Sequence, residues 1–228
     1  MFLFLIMKTF LPILIFSLLF LESCKKETPD FVELRFVLPY SIEPNKAAYK
    51  IGDTLWLSAN FPDTVLEYLS RDYIKVKEYH FPTSLGFRKL ISNQFNLGKQ
   101  PGAAASFNVV NKLGKTTTQF ETFNPFEVVY IDGHYKCLIG IIPKQAGVFC
   151  LNFLSPKAEG INFNFIDLGY NADGVKRQGY YSQFYYIING GNVNVDVLRA
   201  NCLLSSDSDT TSSILYYEQK GTFTFEVK

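Results

Sequence analysis

The sequence has little of the chemistry that marks a catalytic or nucleic-acid-binding protein. It holds two histidines in 228 residues, and 22 Lys and Arg are balanced by 21 Asp and Glu, for a formal net charge of +1. Because phosphate binding depends on a cationic excess, this balance argues against nucleic acid as a partner. No CxxC, HExxH, Walker or GxSxG pattern is present. We therefore expect no metal, no cofactor and no catalytic residues, and a protein that is not an enzyme.

Aromatic residues, in contrast, are abundant. They make up 16% of the chain, with 22 Phe and 14 Tyr, while charged residues are only 19%. A chain with this composition can bury a sizeable core and is not disordered as a whole.

The N-terminal segment is apolar up to residue 21, with Lys8 as its only charged side chain. A run of about twenty residues is long enough to span a bilayer. The order of Met7-Lys8-Thr9 and then the apolar stretch 10–21 instead favours a secretion signal. The stretch ends in Leu21-Glu22-Ser23-Cys24, which resembles the lipobox of a bacterial lipoprotein precursor.

The resemblance implies a lipid anchor. Residues 1–23 would be removed, Cys24 would be acylated on its sulfur and its new amine, and residues 24–30 would form a tether. Ser23-Cys24-Lys25-Lys26-Glu27 is similar to lipoproteins of the Bacteroidetes group, and the lack of Asp after the Cys implies the outer membrane. The membrane would be the partner of the anchor, with the periplasmic face and the cell surface both open. The alternative is an uncleaved signal anchor in which Cys24 is incidental.

The rest of the chain alternates in hydrophobicity with the period of β-strands. Apolar residues share one face in 31–38, 54–59, 135–142 and 148–154, and Asp132-Gly133 predicts a turn. In the second of these segments Trp56 takes the face opposite the apolar one. Strands at short intervals indicate a mainly β sandwich or barrel.

Two phrases narrow this prediction. Tyr49 to Leu57 and Lys144 to Leu151 are similar to strands of immunoglobulin-like modules on Bacteroidetes envelope proteins. The resemblance implies an immunoglobulin-like β-sandwich over 31–155, and leaves 156–228 as a β-rich extension or a separate subdomain.

Helical patterns are few. Asp63 is placed to cap a short helix that carries Val65, Leu66 and Leu69. Around residue 195 the pattern fits both periods, because Val195, Leu198 and Cys202 have helical spacing while Val193, Val195 and Val197 alternate.

Three cysteines remain when Cys24 is set aside. A disulfide between Cys137 and Cys150 is one alternative in an oxidising envelope; buried free thiols are the other. Asn171-Ala172-Asp173-Gly174 looks like the middle of a calcium loop, but Tyr180 stands where that loop needs a carboxylate, which favours an Asx turn.

Three consecutive tyrosine pairs are the strongest binding signal. They are Tyr180-Tyr181, Tyr185-Tyr186 and Tyr216-Tyr217. Because neighbouring side chains in a strand take opposite faces, one member of each pair could be exposed and form an aromatic binding platform. The alternative is that both faces are covered.

These patterns predict a lipid-anchored envelope protein with a non-catalytic binding or scaffolding role. The first alternative is a glycan-binding accessory lipoprotein that uses exposed tyrosines or Trp56, and an envelope protein is another candidate partner. A glycan hydrolase is a further alternative, since scattered carboxylates such as Glu121, Glu127 and Asp167 cannot be paired as acid and base from sequence.

Overall fold

The computed structural model describes residues 28–154, 165–203 and 220–228. Cys24 and the lipobox, and also Tyr216 and Tyr217, lie outside the described residues. Within these ranges the strands are β1 (Asp30–Glu43), β2 (Ala48–Tyr49), β3 (Leu55–Pro62), β4 (Thr64–Glu67), β5 (Tyr73–Lys75), β6 (Thr83–Lys89), β7 (Phe107–Leu113), β8 (Lys115–Thr116), β9 (Phe123–Glu127), β10 (Val129–Ile131), β11 (His134–Pro143), β12 (Gly147–Leu154), β13 (Ile166–Tyr170), β14 (Lys176–Ile188) and β15 (Thr222–Val227). One α-helix, α1 (Val195–Asn201), and short 3₁₀ segments at Leu97–Lys99, Ala104–Ser106 and Asn189–Gly191 complete the described part.

The chain divides into two units, Met1–Val32 with Phe165–Gly179, and Glu33–Asn164 with Tyr180–Lys228. In the larger unit the first sheet has the order β10-β11-β3-β1-β14, with β7 beside β11 and the β4–β5 hairpin beside β1. The second sheet has the order β2-β15-β12-β6-β9-β8. The prediction of a mainly β sandwich is confirmed.

The described part of the smaller unit is a hairpin with a few contacts of its own. Ile166 and Asp167 of β13 pair with Gly179 and Gln178 of β14. The rings of Phe31 and Phe165 lie 5.3 Å apart.

The predicted alternation places the apolar faces correctly. Leu34, Phe36 and Leu38 of β1 are buried, and so are Leu55 and Leu57 of β3. β1 is longer than predicted because it continues through Pro39 to Glu43. Pro39 lies between the part of β1 that pairs with β4 and the part that pairs with β3, so its missing N–H leaves no gap in either ladder.

Aromatic rings fill the space between the two sheets. Tyr40 of β1 stacks on Phe153 of β12 with ring centres 4.4 Å apart, and it meets the edge of Phe126 at 5.7 Å. Phe107 of β7 meets Phe149 of β12 at 5.1 Å. Such pairs add about 0.5–1.5 kcal/mol each to the hydrophobic burial, and this accounts for the high aromatic content of the chain.

The far side of the second sheet is covered as well. Cys150 and Asn152 of β12, which alternate with the inward-facing apolar residues, are fully buried. Leu198 of α1 joins Leu90, Leu97, Cys150 and Cys202 in one apolar cluster. Burial of Leu198 and Cys202 against this sheet selects the helical alternative for the segment around residue 195.

One expectation about local structure is wrong. The helix predicted after Asp63 is strand β4, in which Val65 and Glu67 face inward and alternate with Thr64 and Leu66. The Asp63 carboxylate does not cap a helix but accepts a hydrogen bond from the Tyr130 hydroxyl at 2.9 Å.

The segment after residue 155 contributes strands to both sheets. Strand β15 lies between β2 and β12 in the second sheet, and β14 lies beside β1 in the first. Both fit the alternative of a β-rich extension.

Candidate functional site

The predicted tyrosine platform is not formed by the described tyrosines. Tyr181, Tyr185 and Tyr186 are all buried, and Tyr180 is half-buried. Tyr186 faces the second sheet, where its hydroxyl lies 3.2 Å from Thr83 Oγ1 and its ring stacks on Phe153 at 5.0 Å. For Tyr181, Tyr185 and Tyr186 the prediction of an exposed aromatic surface is wrong, while Tyr180 is partly open.

Tyr185 shows why the prediction of an exposed tyrosine platform fails. It lies on the outer face of the first sheet, opposite to Tyr186, as strand alternation requires. That face is covered at this point, because Tyr68 packs edge-on against Tyr185 with ring centres 4.6 Å apart. Leu66, Ile187 and Val37 complete the cluster, which we call the covered patch. The Arg71 guanidinium lies 4.8 Å from the centre of the Tyr68 ring and makes a cation–π contact with it.

A buried carboxylate fixes the chain that carries Tyr68. Glu67 is 3% exposed, and its two oxygens accept hydrogen bonds from the backbone N–H of Arg35 at 3.0 Å and of Ser70 at 2.6 Å. Tyr68 N–H donates to the Arg35 carbonyl at 2.7 Å. The two donors satisfy the carboxylate in an otherwise costly position, so Glu67 fixes the turn after β4 beside β1.

The same outer face is open further along β3. Two rows of residues cross the sheet there: Glu43, Trp56, Gly140 and Val110 on β1, β3, β11 and β7, and next to them Ser41, Ser58 and Leu138. With strands about 4.8 Å apart, the longer row spans about 14 Å. We call these seven residues the Trp56 face. Leu138 is 39% exposed, Val110 is 36% exposed and Trp56 is half-buried.

Gly140 positions the indole ring. Trp56 and Gly140 are direct cross-strand partners. A Cβ at Gly140 would lie 3.1 Å from Trp56 Cζ3, 3.3 Å from Cη2 and 3.1 Å from Thr54 Cγ2. The six-membered ring of Trp56 therefore rests where any other residue would place its side chain. This contact holds the ring on the sheet, and Trp56 as a whole is half-buried.

The surroundings of the Trp56 face are polar and carry charges of both signs. Asn60 and Asn108 are exposed on β3 and β7, and Lys136 is the cross-strand partner of Asn60. Lys112 is also exposed on β7, and Glu43 is exposed on β1. The face therefore presents an aromatic ring, hydroxyl and amide groups, and a few charges of opposite sign.

The cysteines are buried thiols. Cys137, Cys150 and Cys202 are free. The Cys137–Cys150 disulfide is not formed, because Cys137 belongs to β11 in the first sheet while Cys150 lies on the covered side of the second. Burial raises the pKa of Cys137 to about 12 and the pKa of Cys150 even further. Both thiols are therefore protonated at neutral pH and are poor nucleophiles.

The other sequence candidates have structural roles or separate positions. Asn171 Oδ1 accepts hydrogen bonds from the N–H groups of Asp173 and Val175 at 3.0 and 2.9 Å, which confirms the Asx turn. The pKa of Asp167 is lowered by a hydrogen bond from Gly169 N–H and by Lys176, whose Nζ lies 3.2 Å away. Glu121 and Glu127 are exposed. Among the described residues no three His, Cys, Asp or Glu side chains form a group suited to a metal ion.

The sequence contained one signal for the Trp56 face that the tyrosine pairs obscured. A glycine inside a strand often marks a close approach of other groups to the backbone, and Gly140 interrupts an otherwise apolar strand. That Gly140 lies opposite Trp56, however, could not be predicted. The two residues are more than 80 positions apart, and hydrophobic alternation does not specify which strands pair.

No protein-family description and no curated protein matches this chain. Solved structures with some likeness include two fragments of the human F-spondin reeler domain, at 11% and 9% identity. They cover 70% and 71% of this chain and 99% and 94% of their own, each with a TM-score of 0.28. A type II cohesin dyad from the adaptor ScaA scaffoldin of Acetivibrio cellulolyticus has 9% identity, covers 65% of this chain and 46% of its own, and gives a TM-score of 0.26. Likeness this distant carries no argument about function.

In the described part of the chain, no helix combines the length and apolarity needed to cross a membrane.

Proposed function

We propose that this chain is a lipid-anchored protein of the bacterial outer membrane whose β-sandwich has a non-catalytic binding or scaffolding role. The anchor is supported by Leu21-Glu22-Ser23-Cys24 at the end of the apolar N-terminal segment. The observation that carries the binding role is the Trp56 face. It keeps a half-buried tryptophan and two exposed aliphatic side chains on a rigid sheet.

Several contacts favour binding over catalysis. The buried thiols are held protonated by desolvation, Glu67 is occupied by backbone N–H groups, and Asp167 is used by its own hairpin. These reactive groups stabilise the fold. On the Trp56 face, in contrast, Leu138 and Val110 contribute little to the stability of the fold, since both are exposed.

The anchor is tested by labelling growing cells with an alkyne fatty acid, in the wild type and in Cys24→Ala. We expect label on the wild type and none on the variant. Cys137→Ala is the matched control and keeps the label, because its thiol is buried in the sandwich. An unlabelled wild-type protein would refute the anchor.

The membrane face is tested by protease treatment of intact cells. Digestion of the wild-type protein by external protease indicates the cell surface, and protection that is lost when the outer membrane is opened indicates the periplasmic face. Recovery of the labelled protein in the inner-membrane fraction would refute the outer-membrane assignment.

A further inference from the structure

We infer that the ligand of the Trp56 face is a neutral glycan, with a sugar ring stacked on the Trp56 indole. This inference rests on the proposed binding role of the Trp56 face and adds the chemical class of the ligand. It uses the ring, its neighbours and the charges that surround them.

The central group matches the apolar face of a sugar. A pyranose ring carries C–H groups on its faces and hydroxyl groups around its rim. The face of an aromatic ring is electron-rich, so it attracts the slightly positive C–H groups. Trp56 supplies this surface in a fixed orientation, because its ring occupies the space beside Gly140 that a Cβ would fill. A fixed ring loses little side-chain entropy when a ligand binds.

The rim of the Trp56 face matches the hydroxyl groups. Ser41 and Ser58 lie side by side in the row next to Trp56, and Asn60 and Asn108 are at the edges. Hydroxyl and amide side chains can both donate and accept, as sugar hydroxyls do. Val110 extends the apolar surface beyond Gly140 in the longer row, and Leu138 lies in the neighbouring row. A chain of more than one sugar unit therefore fits along the row of about 14 Å.

Charge and area separate a glycan from other ligands. The charges of Glu43, Lys136 and Lys112 are of both signs, so the face has no dense charge of one sign that would select a strongly anionic or cationic chain. A stable protein interface buries about 800 Å² on each partner around an apolar centre. Here Trp56, Leu138 and Val110 supply the large apolar side chains of the face, between hydroxyl and amide groups. A neutral glycan fits this composition best.

The experiment uses the only tryptophan of the chain as its reporter. The full chain is purified in a zwitterionic detergent without sugar headgroups and titrated with neutral oligosaccharides of glucose, mannose, galactose and xylose. Polygalacturonate serves as the anionic comparison. We expect a saturable change in Trp56 fluorescence with at least one neutral series and none with the anionic polymer.

Variants assign the binding to the face. Affinity electrophoresis in gels that contain the corresponding polysaccharide measures retention independently of fluorescence. Trp56→Ala should weaken retention at least tenfold, and Trp56→Tyr should restore part of it because an aromatic ring remains. Tyr73→Ala is the matched control, since Tyr73 is 71% exposed on β5, outside the Trp56 face. Circular dichroism and unfolding curves confirm that each variant is folded.

Three results would overturn the inference: no retention with any neutral glycan of the set, equal binding of the anionic polymer, or retention unchanged in a folded Trp56→Ala. If crosslinking at the face instead captures an envelope protein, and Trp56→Ala abolishes that capture, the glycan inference is wrong while the proposed binding role stands. Lipid labelling of Cys24 is independent of both results.

Discussion

Tyr185 and Trp56 both lie on the outer face of the first sheet, but only Trp56 is partly open to solvent. Tyr185 is 3% exposed because Tyr68 and Leu66 pack against it. Trp56 is half-buried, and Leu138 and Val110 are exposed on the same face. Both residues obey strand alternation. The comparison teaches that alternation assigns a side chain to a face, while the neighbouring segments decide whether that face meets solvent.

The largest expected effect concerns the inner face and is a loss of stability at alkaline pH. Burial raises the pKa of Tyr135 from 10.0 to about 12, and it also raises the pKa of Tyr40 and Tyr79. Since the folded state holds these protons more tightly, the stabilisation is complete below pH 10 and is lost as the pH rises towards 12. Urea unfolding monitored by circular dichroism from pH 8 to pH 12 should show this decline. A midpoint that stays constant over that range would contradict it.

Truncating the inward-facing tyrosine should have the next largest effect. Tyr186→Ala removes a ring that stacks on Phe153 and a hydroxyl beside Thr83, and we expect a loss of about 3–5 kcal/mol in the free energy of unfolding. Urea denaturation measures it. Tyr73→Ala, at an exposed position, should change the same quantity by no more than about 0.5 kcal/mol. Equal effects of the two substitutions would show that Tyr186 is not part of the core.

Removing the cover should convert the covered patch into an open one. Tyr68→Ala deletes the ring above Tyr185 and its contact with Arg71, at a cost of about 2 kcal/mol. Tyr185 should then become accessible to nitration by tetranitromethane, as mapped by mass spectrometry, whereas it is protected in the wild type. Protection that persists in the folded variant would mean that something other than Tyr68 covers Tyr185.

Glu67→Gln should loosen the same cover by a smaller amount. The amide nitrogen would replace one of two oxygens that accept backbone hydrogen bonds, so one buried N–H loses its partner at a cost of about 1–2 kcal/mol. Amide hydrogen exchange at Arg35 and Ser70 should accelerate, with little change at residues of the Trp56 face. Unchanged exchange at both amides would contradict the role given to Glu67.

A smaller loss of stability than at Tyr186 is expected at Trp56, the partly open position of the two. Trp56→Ala should cost about 2 kcal/mol, because part of the ring is exposed to solvent. In the wild type, acrylamide should quench Trp56 fluorescence efficiently. A loss above about 3 kcal/mol, or a ring that acrylamide does not reach, would place Trp56 in the core and remove the distinction between the two places.

Much of the fold was predictable from local pattern. The alternation around Phe36, Leu57 and Phe149 identified the inner faces. Asp132 and Gly133 both adopt positive φ in the two-residue turn between β10 and β11, as a type I′ hairpin requires. The helix expected after Asp63 is not formed, because the segment pairs with β1 as a strand and this pairing outweighs the local helical spacing.

The candidate site was predictable only in part. Trp56 was assigned to the face opposite the core, but the tyrosine pairs appeared the stronger platform. Their burial depends on Tyr68 and on the second sheet, which lie far from them in sequence. The lipid anchor at Cys24 lies outside the described residues and stays a prediction.

By itself the sequence determined the period of the backbone, the faces of the strands and the N-terminal motif, because these depend on neighbours a few positions apart. Tertiary structure decided which faces are covered, whether the cysteines come close enough to pair, and which residue lies opposite Trp56. Those outcomes depend on strand pairings across the chain, such as Gly140 with Trp56. The register of such a pairing is set by how the two sheets pack as a whole, and no single segment encodes it.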